Sequence, residues 1–216
     1  MDIIRMPIVK GLEPTLLEGT DRYAYALSDF EDAWNLEKWQ RIGGYQGMVL
    51  YLYDLQKNTV YVPFEKKRNV IYQKPLFFDD RIYILQIDYD AQSITLYRVS
   101  PDAALEKVTD LSTDAVNLYN IALIGEDVHI ISHDETFVCY YPERFEITLA
   151  PNESVVCIED DRVYIRASID EGAGKAERDN PYAYYEKTLV KDNMGNLISE
   201  DVGALTRFPD GKWRIF

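Results

Sequence analysis

His129 and His133 stand four residues apart in "VHIISHD", the HxxxH spacing that brings two imidazoles to one zinc ion when the segment is helical. This segment reads as a strand, and four strand residues span ~13 Å against ~4 Å between two ligands of one ion. The pair is therefore read as a partly buried structural His129 and a turn His133, with no metal site.

Carboxylates are the next chemistry to consider, because the chain holds 37 Asp and Glu. A facing pair of them would hydrolyse a glycosidic bond, with their separation deciding whether water or carboxylate attacks the sugar. Asp79, Asp80, Glu126, Asp127, Asp160 and Asp161 all sit in short polar stretches ahead of apolar runs, where Asp is favoured for its hydrogen bonds to backbone. They are read as solvated turn residues. Their other reading is a negative collar around one rim, suited to a cation or a basic peptide.

No nucleophile is apparent. The sequence contains no GxSxG, no Walker glycine pattern and no dinucleotide-binding glycine pattern, so no catalytic residue and no cofactor are expected. Cys139 and Cys157 lie inside the apolar runs "FVCYY" and "SVVCIE", without the close Cys or His partner of a zinc site. Both are expected as buried free thiols in a reducing compartment.

Binding is the chemistry best supplied. Trp34 and Trp39 occupy "SDFEDAWNLEKWQRIGG", and Tyr182, Tyr184 and Tyr185 occupy "NPYAYYEK"; together they form the candidate ligand or partner surface. Tyrosine gives a large contact area with little entropy lost. The first segment opens with Ser28 and Glu31 at capping-box spacing and stops at Gly43-Gly44, predicting a helix. At ~100° per residue Phe30 and Trp34 share a side while Trp39 falls nearly opposite Phe30. A full-length helix therefore cannot bury both tryptophans on one surface: either it is short or one aromatic is left for a neighbour. The stretch 169 to 187 begins with small and charged residues without periodicity, predicting a long mobile loop. Alternatively, Tyr182 and Tyr184 alternate onto the core face of the strand that follows.

The elements that must position these residues are strands. Seventeen tyrosines stand largely in short alternating runs bounded by Asp, Asn, Gly or Pro. "MVLYLYDLQKNTVYVPF" reads as a hairpin around "LQKN". "SITLYRVS", "TFVCYYPERFEITLA" and "KTLVKDNMGNLIS" read likewise, the last turning at Asn193 to Asn196.

A unit also recurs. "GTDRYAYA", "FDDRIYIL", "GEDVHIIS", "EDDRVYIR" and "PDGKWRIF" each place a polar, mostly acidic turn before an aromatic and β-branched strand. Aligned on Arg22, Arg81, Val128, Arg162 and Lys212, the steps are 59, 47, 34 and 50, a mean of 47.5. That spacing suits one four-stranded propeller blade per repeat. The expected fold is an all-β, five-bladed β-propeller forming one domain over 1–216, with the first blade enlarged and the third or fourth thin; the alternative is a β-sandwich. The N-terminal "MDIIRMPIVKG" is expected to pair with the C-terminal blade and close the ring, removing exposed strand edges.

The formal net charge of −14 repels phosphate backbones and anionic lipid, so neither nucleic acid nor membrane is an expected partner. The basic cluster "EKKR", 65 to 68, reads as a solvated turn or strand end. Neither a signal peptide nor a spanning segment is apparent, which predicts a cytoplasmic protein. These readings predict a non-catalytic propeller used as a scaffold or binding module for a protein or peptide partner of basic character. The alternatives are a propeller that binds carbohydrate or small molecules through its Trp and Tyr rings and, ranked last, a glycosidase-like hydrolase.

Overall fold

Acidic turns become hairpin corners in the computed structural model of the protein, which describes residues 3–4, 6–7, 11–100, 104–134, 136–171 and 184–216. The first sheet is an antiparallel meander of β1 (Thr15–Leu16), β2 (Tyr23–Leu27), β3 (Leu50–Asp54) and β4 (Thr59–Tyr61). The second comprises β5 (Val70–Tyr72), β6 (Leu76–Phe78), β7 (Arg81–Asp88), β8 (Ser93–Val99) and β9 (Leu105–Ser112). A single 3-10 turn, Thr113–Ala115, follows it. The third sheet runs β10 (Ala122–Ile124), β11 (His129–His133), β12 (Thr136–Tyr141) and β13 (Phe145–Thr148). The fourth runs β14 (Glu153–Glu159), β15 (Arg162–Asp170), β16 (Tyr184–Asp192) and β17 (Leu197–Val202). A two-stranded hairpin, β18 (Leu205–Arg207) with β19 (Trp213–Ile215), ends the chain. Four successive meanders of this kind are a β-propeller arrangement of four blades.

The corners explain why the acids recur. Asp79 and Asp80 have φ of 47° and 55°, and Asp160 and Asp161 have 46° and 61°. Positive φ at both central residues is the signature of the type I′ turn, whose twist matches two-residue hairpins and which Asp and Asn tolerate best. In the third sheet the left-handed pair is Asp127-Val128, at 60° and 47°, one position later than in "FDDR" and "EDDR". The structural counterpart of Arg81 is thus His129 and not Val128, which corrects the repeat alignment by one residue. Val128 sits in a conformation that β-branched side chains rarely adopt, and it is buried.

A second Asp device closes the opposite ends of strands. Asp54 Oδ1 accepts the amides of Gln56 and Lys57 at 3.1 and 3.0 Å. Asp192 Oδ1 accepts those of Met194 and Asn196 at 2.9 and 2.8 Å, and Asp88 Oδ1 accepts that of Ala91 at 3.0 Å. These are Asx turns. Those at Asp54 and Asp192 form the β3–β4 and β16–β17 hairpins at the expected "LQKN" and 193–196 positions. "TFVCYYPERFEITLA" likewise folds as the β12–β13 hairpin. "SITLYRVS" is instead the single strand β8, paired on both edges, because its interior, Ile94 to Val99, contains none of the Gly, Pro, Asn, Asp or Ser that favour a turn.

Burial differs sharply between strands: every residue of the interior strand β3 is buried, while the edge strand β17 is exposed throughout. The first strand position of the second sheet is split into β5 and β6, which both pair with β7 and whose registers differ by one residue. Pro75 lies in the break, where its missing N–H cannot serve a ladder. The chain divides into two compact units, Met1–Leu123 with Pro209–Gly211 and Ile124–Phe208 with Lys212–Phe216.

The expected N-terminal closing strand falls largely outside the described residues. Of the part described, Ile3 and Ile4 are exposed and Met6 packs on the first sheet against a cluster of Ala24, Ala26, Tyr51 and Tyr53. Among the described residues no helix is long and apolar enough to cross a membrane.

Candidate functional site

The long connection between β2 and β3 builds the site. Its base is closed by Ser28: the Ser28 amide donates to the Val49 carbonyl at 3.0 Å, and Ser28 Oγ accepts the Val49 amide at 2.8 Å. With its hydroxyl committed there, Ser28 caps no helix, and the expected capping box does not form. The helix α1 (Leu36–Arg41) starts later and is six residues long. A turn precedes it, Asn35 N to Asp32 O at 3.1 Å, and the Asn35 carbonyl accepts the Trp39 amide at 3.2 Å. Asn is a favoured residue at such a start. Gly43 and Gly44, at φ of 83° and 99°, end it as expected, with Gly44 N donating to the Trp39 carbonyl at 2.7 Å.

A short helix resolves the problem of the two tryptophans. Trp39 is 1% exposed, stacked on Tyr45 at 4.8 Å and 18° and edge-on to Tyr89 at 4.9 Å and 86°. The Tyr89 hydroxyl donates to the Ala33 carbonyl, and the Tyr45 hydroxyl donates to Asp29 Oδ2 at 2.9 Å. Burial, reinforced by that hydrogen bond, raises the Tyr45 pKa, so the phenol remains a donor. Asn69 Oδ1 accepts the Tyr45 amide at 2.8 Å and the Asn69 amide donates to the Tyr45 carbonyl at 3.0 Å. The connection is thereby clamped to the second sheet.

Trp34 is left outside this core, 52% exposed. Its ring lies 6.1 Å from that of Tyr119 at 47°, and it lines a cleft of ≈ 270 Å³ with Asp32, Gln73, Leu118, Asn120 and Ile121. Gln73 reaches the cleft from the break between β5 and β6, its amide donating to the Leu85 carbonyl at 3.0 Å. Tyr119 comes from a loop anchored by the buried Val116 and Ile121. Asn117 Oδ1 accepts the Tyr119 amide at 2.9 Å, and Asn120 takes φ of 50°. An exposed aromatic pair beside a carboxylate and two amides can stack on a flat or cationic group and accept its hydrogen bonds.

A second cleft, ≈ 330 Å³, is bordered by Trp39, Arg68, Asn69 and Asp90. Its charged groups are already hydrogen-bonded within the protein: Arg68 donates to the Gly43 carbonyl, and Asn69 Nδ2 donates to Asp90 Oδ1 at 2.8 Å. The Trp34 cleft is therefore the stronger candidate.

The expected five aromatics have different fates. Trp34 faces the cleft, while Trp39 belongs to the core and borders only the second cleft. Tyr182 lies outside the described residues, as does most of the expected loop. Tyr184 and Tyr185 open β16, paired with Asp170 and Ile169, so both ends of the stretch 169 to 187 are strand. Tyr184 is 64% exposed, its hydroxyl donating to Ser168 Oγ at 3.3 Å. The Tyr185 hydroxyl donates to Glu171 Oε1 at 3.2 Å. Asp32, Gln73, Tyr119 and Asn120 escaped sequence reasoning. The "NLYN" loop carried a readable signal, since a tyrosine between two Asn residues marks an exposed turn.

His129 and His133 are the first and last residues of β11. His129 is buried, and burial lowers its pKa. Among the described residues no group of three or more His, Cys, Asp or Glu is arranged to hold a metal ion.

No family model matches the sequence, and comparison with curated proteins finds no match. Among solved structures, the chain is similar to the β-propeller domain of the trilobed protease from Pyrococcus furiosus, at 10% identity and a TM-score of 0.44, covering 90% of this chain and 59% of that one. It is also similar to dipeptidyl peptidase 4 from Porphyromonas gingivalis, at 12% identity and a TM-score of 0.40, covering 76% of this chain and 25% of that one. The chain thus spans less than two thirds of either structure. Its own sheets define it as an all-β protein of propeller type, and its first unit carries an aromatic cleft at Trp34.

Proposed function

We propose that the protein is a non-catalytic binding module that recognises a protein or peptide segment of basic character at the Trp34 cleft. The observation carrying this reading is the half-exposed Trp34–Tyr119 pair at a cleft edged by Asp32, on a chain of net charge −14. Aromatic rings supply contact area, and the acidic surface steers cations toward it. The free, buried Cys139 and Cys157 support a reducing, cytoplasmic setting for this role. The reading includes a five-bladed ring, in which the N-terminal segment completes the β18–β19 sheet. That sheet has two strands among the described residues where the others have four or five, which supports it.

A second reading, a carbohydrate-binding propeller, is favoured by one observation: the Gln73 and Asn120 amides beside the indole match the mixed donor and acceptor pattern of a sugar. The test is a peptide array and a glycan array, each probed with the wild type and with Trp34→Ala. Cationic peptides that bind the wild type and are lost with Trp34→Ala are expected. An unchanged binding pattern in the variant, or no bound peptide, overturns the peptide reading. Glycans lost with Trp34→Ala would replace it with the second.

A further inference from the structure

We infer that the Trp34 cleft is an arginine pocket: one guanidinium of the partner stacks on the Trp34 indole and pairs with the Asp32 carboxylate. The inference rests on the peptide-binding reading and names the group that the site selects.

The chemistry of the lining points to this group. Among the described residues around the cleft, Asp32 is the one charged side chain, Gln73 and Asn120 add amide oxygens, and no Lys or Arg is present to repel a cation. Arginine carries five N–H donors and no acceptor, so it matches the Asp32 carboxylate, an acceptor only, and can use the oxygen side of a lining amide. Its flat guanidinium stacks on an aromatic face, whereas a lysine ammonium is a compact, strongly hydrated charge that uses neither the plane nor the fork of donors.

The ring geometry separates this ligand from a sugar. Trp34 and Tyr119 are inclined at 47° with centroids 6.1 Å apart, so they pack on each other and do not form a coplanar platform for successive sugar rings. The half-exposed indole has area enough for one guanidinium. With Trp34 and Tyr119 at 52% and 42% exposure, that contact is reached without rearranging the core around Trp39.

The test uses the full chain labelled with nitrogen-15, following the indole N–H signals of Trp34, Trp39 and Trp213 while a glycine heptapeptide with one central arginine is added. The Trp34 signal should shift, with Trp39 reporting that the neighbouring packing is intact. Replacing the arginine by citrulline, which keeps the shape and loses the charge, should weaken binding about tenfold or more, and lysine should fall between the two. Asp32→Asn should cost a similar factor. Asp110→Asn, an equal change of charge at the exposed ion pair with Lys107, should stay within about twofold. Equal binding of the citrulline or lysine peptide, or equal effects of Asp32→Asn and Asp110→Asn, overturns the arginine pocket while peptide binding stands. A Trp34 shift with an oligosaccharide and none with the arginine peptide overturns both the pocket and the peptide reading. If neither ligand moves Trp34, the cleft is not a binding site and every reading built on it falls.

Discussion

The Trp213 indole donates its N–H to Glu126 Oε1 at 3.1 Å, across 87 residues of sequence. The same oxygen pairs with Arg207 Nη2 at 3.2 Å, with side-chain exposures of 9% and 16% for Arg207 and Glu126. One carboxylate at the β10–β11 corner thus ties down both strands of the terminal hairpin, β18 through Arg207 and β19 through Trp213. Read from the sequence as a solvated turn acid, Glu126 is a structural anchor.

Removing that anchor leaves Arg207 without this buried carboxylate. Glu126→Ala is expected to lower the unfolding free energy by about 3 kcal/mol and Glu126→Gln by less, since the amide can still accept from Trp213. Urea titration checks this; losses below about 0.5 kcal/mol, the range of ordinary surface substitutions, would contradict it.

Arg22 and Asp54 form the corresponding pair in the first sheet, with three hydrogen bonds of 3.2, 3.2 and 2.7 Å. The Arg22 hydrogen bonds, outweighing burial, hold the Asp54 carboxyl below its usual pKa. A depressed folded-state pKa makes this contribution fully present above the unfolded value near 4 and lost as pH falls through the folded value. Thermal midpoints should therefore drop below about pH 4 more steeply for the wild type than for Asp54→Asn. At neutral pH the variant should be less stable by about 2 kcal/mol, because Arg22 keeps its charge and loses its partner. Parallel pH profiles for the two proteins would refute this.

The two tryptophans of the β2–β3 connection should behave oppositely. Trp39→Ala empties a fully packed site between Tyr45 and Tyr89 and is expected to cost about 3–5 kcal/mol. Trp34→Ala removes a half-exposed ring and should cost under about 1 kcal/mol while abolishing ligand binding. Denaturation of each variant measures the contrast, and comparable losses would mean that Trp34 is a core residue.

Burial pushes the thiols of Cys139 and Cys157 up to about 12. Since the thiolate is the reactive form, neither should react with a disulfide reagent at about pH 8 in the native protein, and both should react after unfolding. Rapid labelling of the folded chain would show that one of the strands β12 and β14 opens readily.

Sequence reasoning succeeded where the cause is local. Hairpin corners at Asp79-Asp80 and Asp160-Asp161, the Asp54 and Asp192 turns and the Gly43-Gly44 stop all follow from the φ preferences and side-chain reach of single residues. It slipped at "GEDV", because a strand register is defined by pairing across the sheet and a one-residue shift leaves the local pattern almost unchanged. It failed at Ser28, whose hydroxyl could have capped a local helix and instead accepts the amide of Val49, 21 residues away.

The chain by itself therefore determined that these residues form short antiparallel strands joined by acidic corners, with an aromatic segment interrupting the first sheet. Tertiary structure alone decided which tryptophan became core and which became surface, and it joined Asp32, Gln73, Tyr119 and Asn120 around Trp34. Those residues come from three separate connections, and no spacing rule links them, because their neighbourhood is created by packing of the connection on the second sheet.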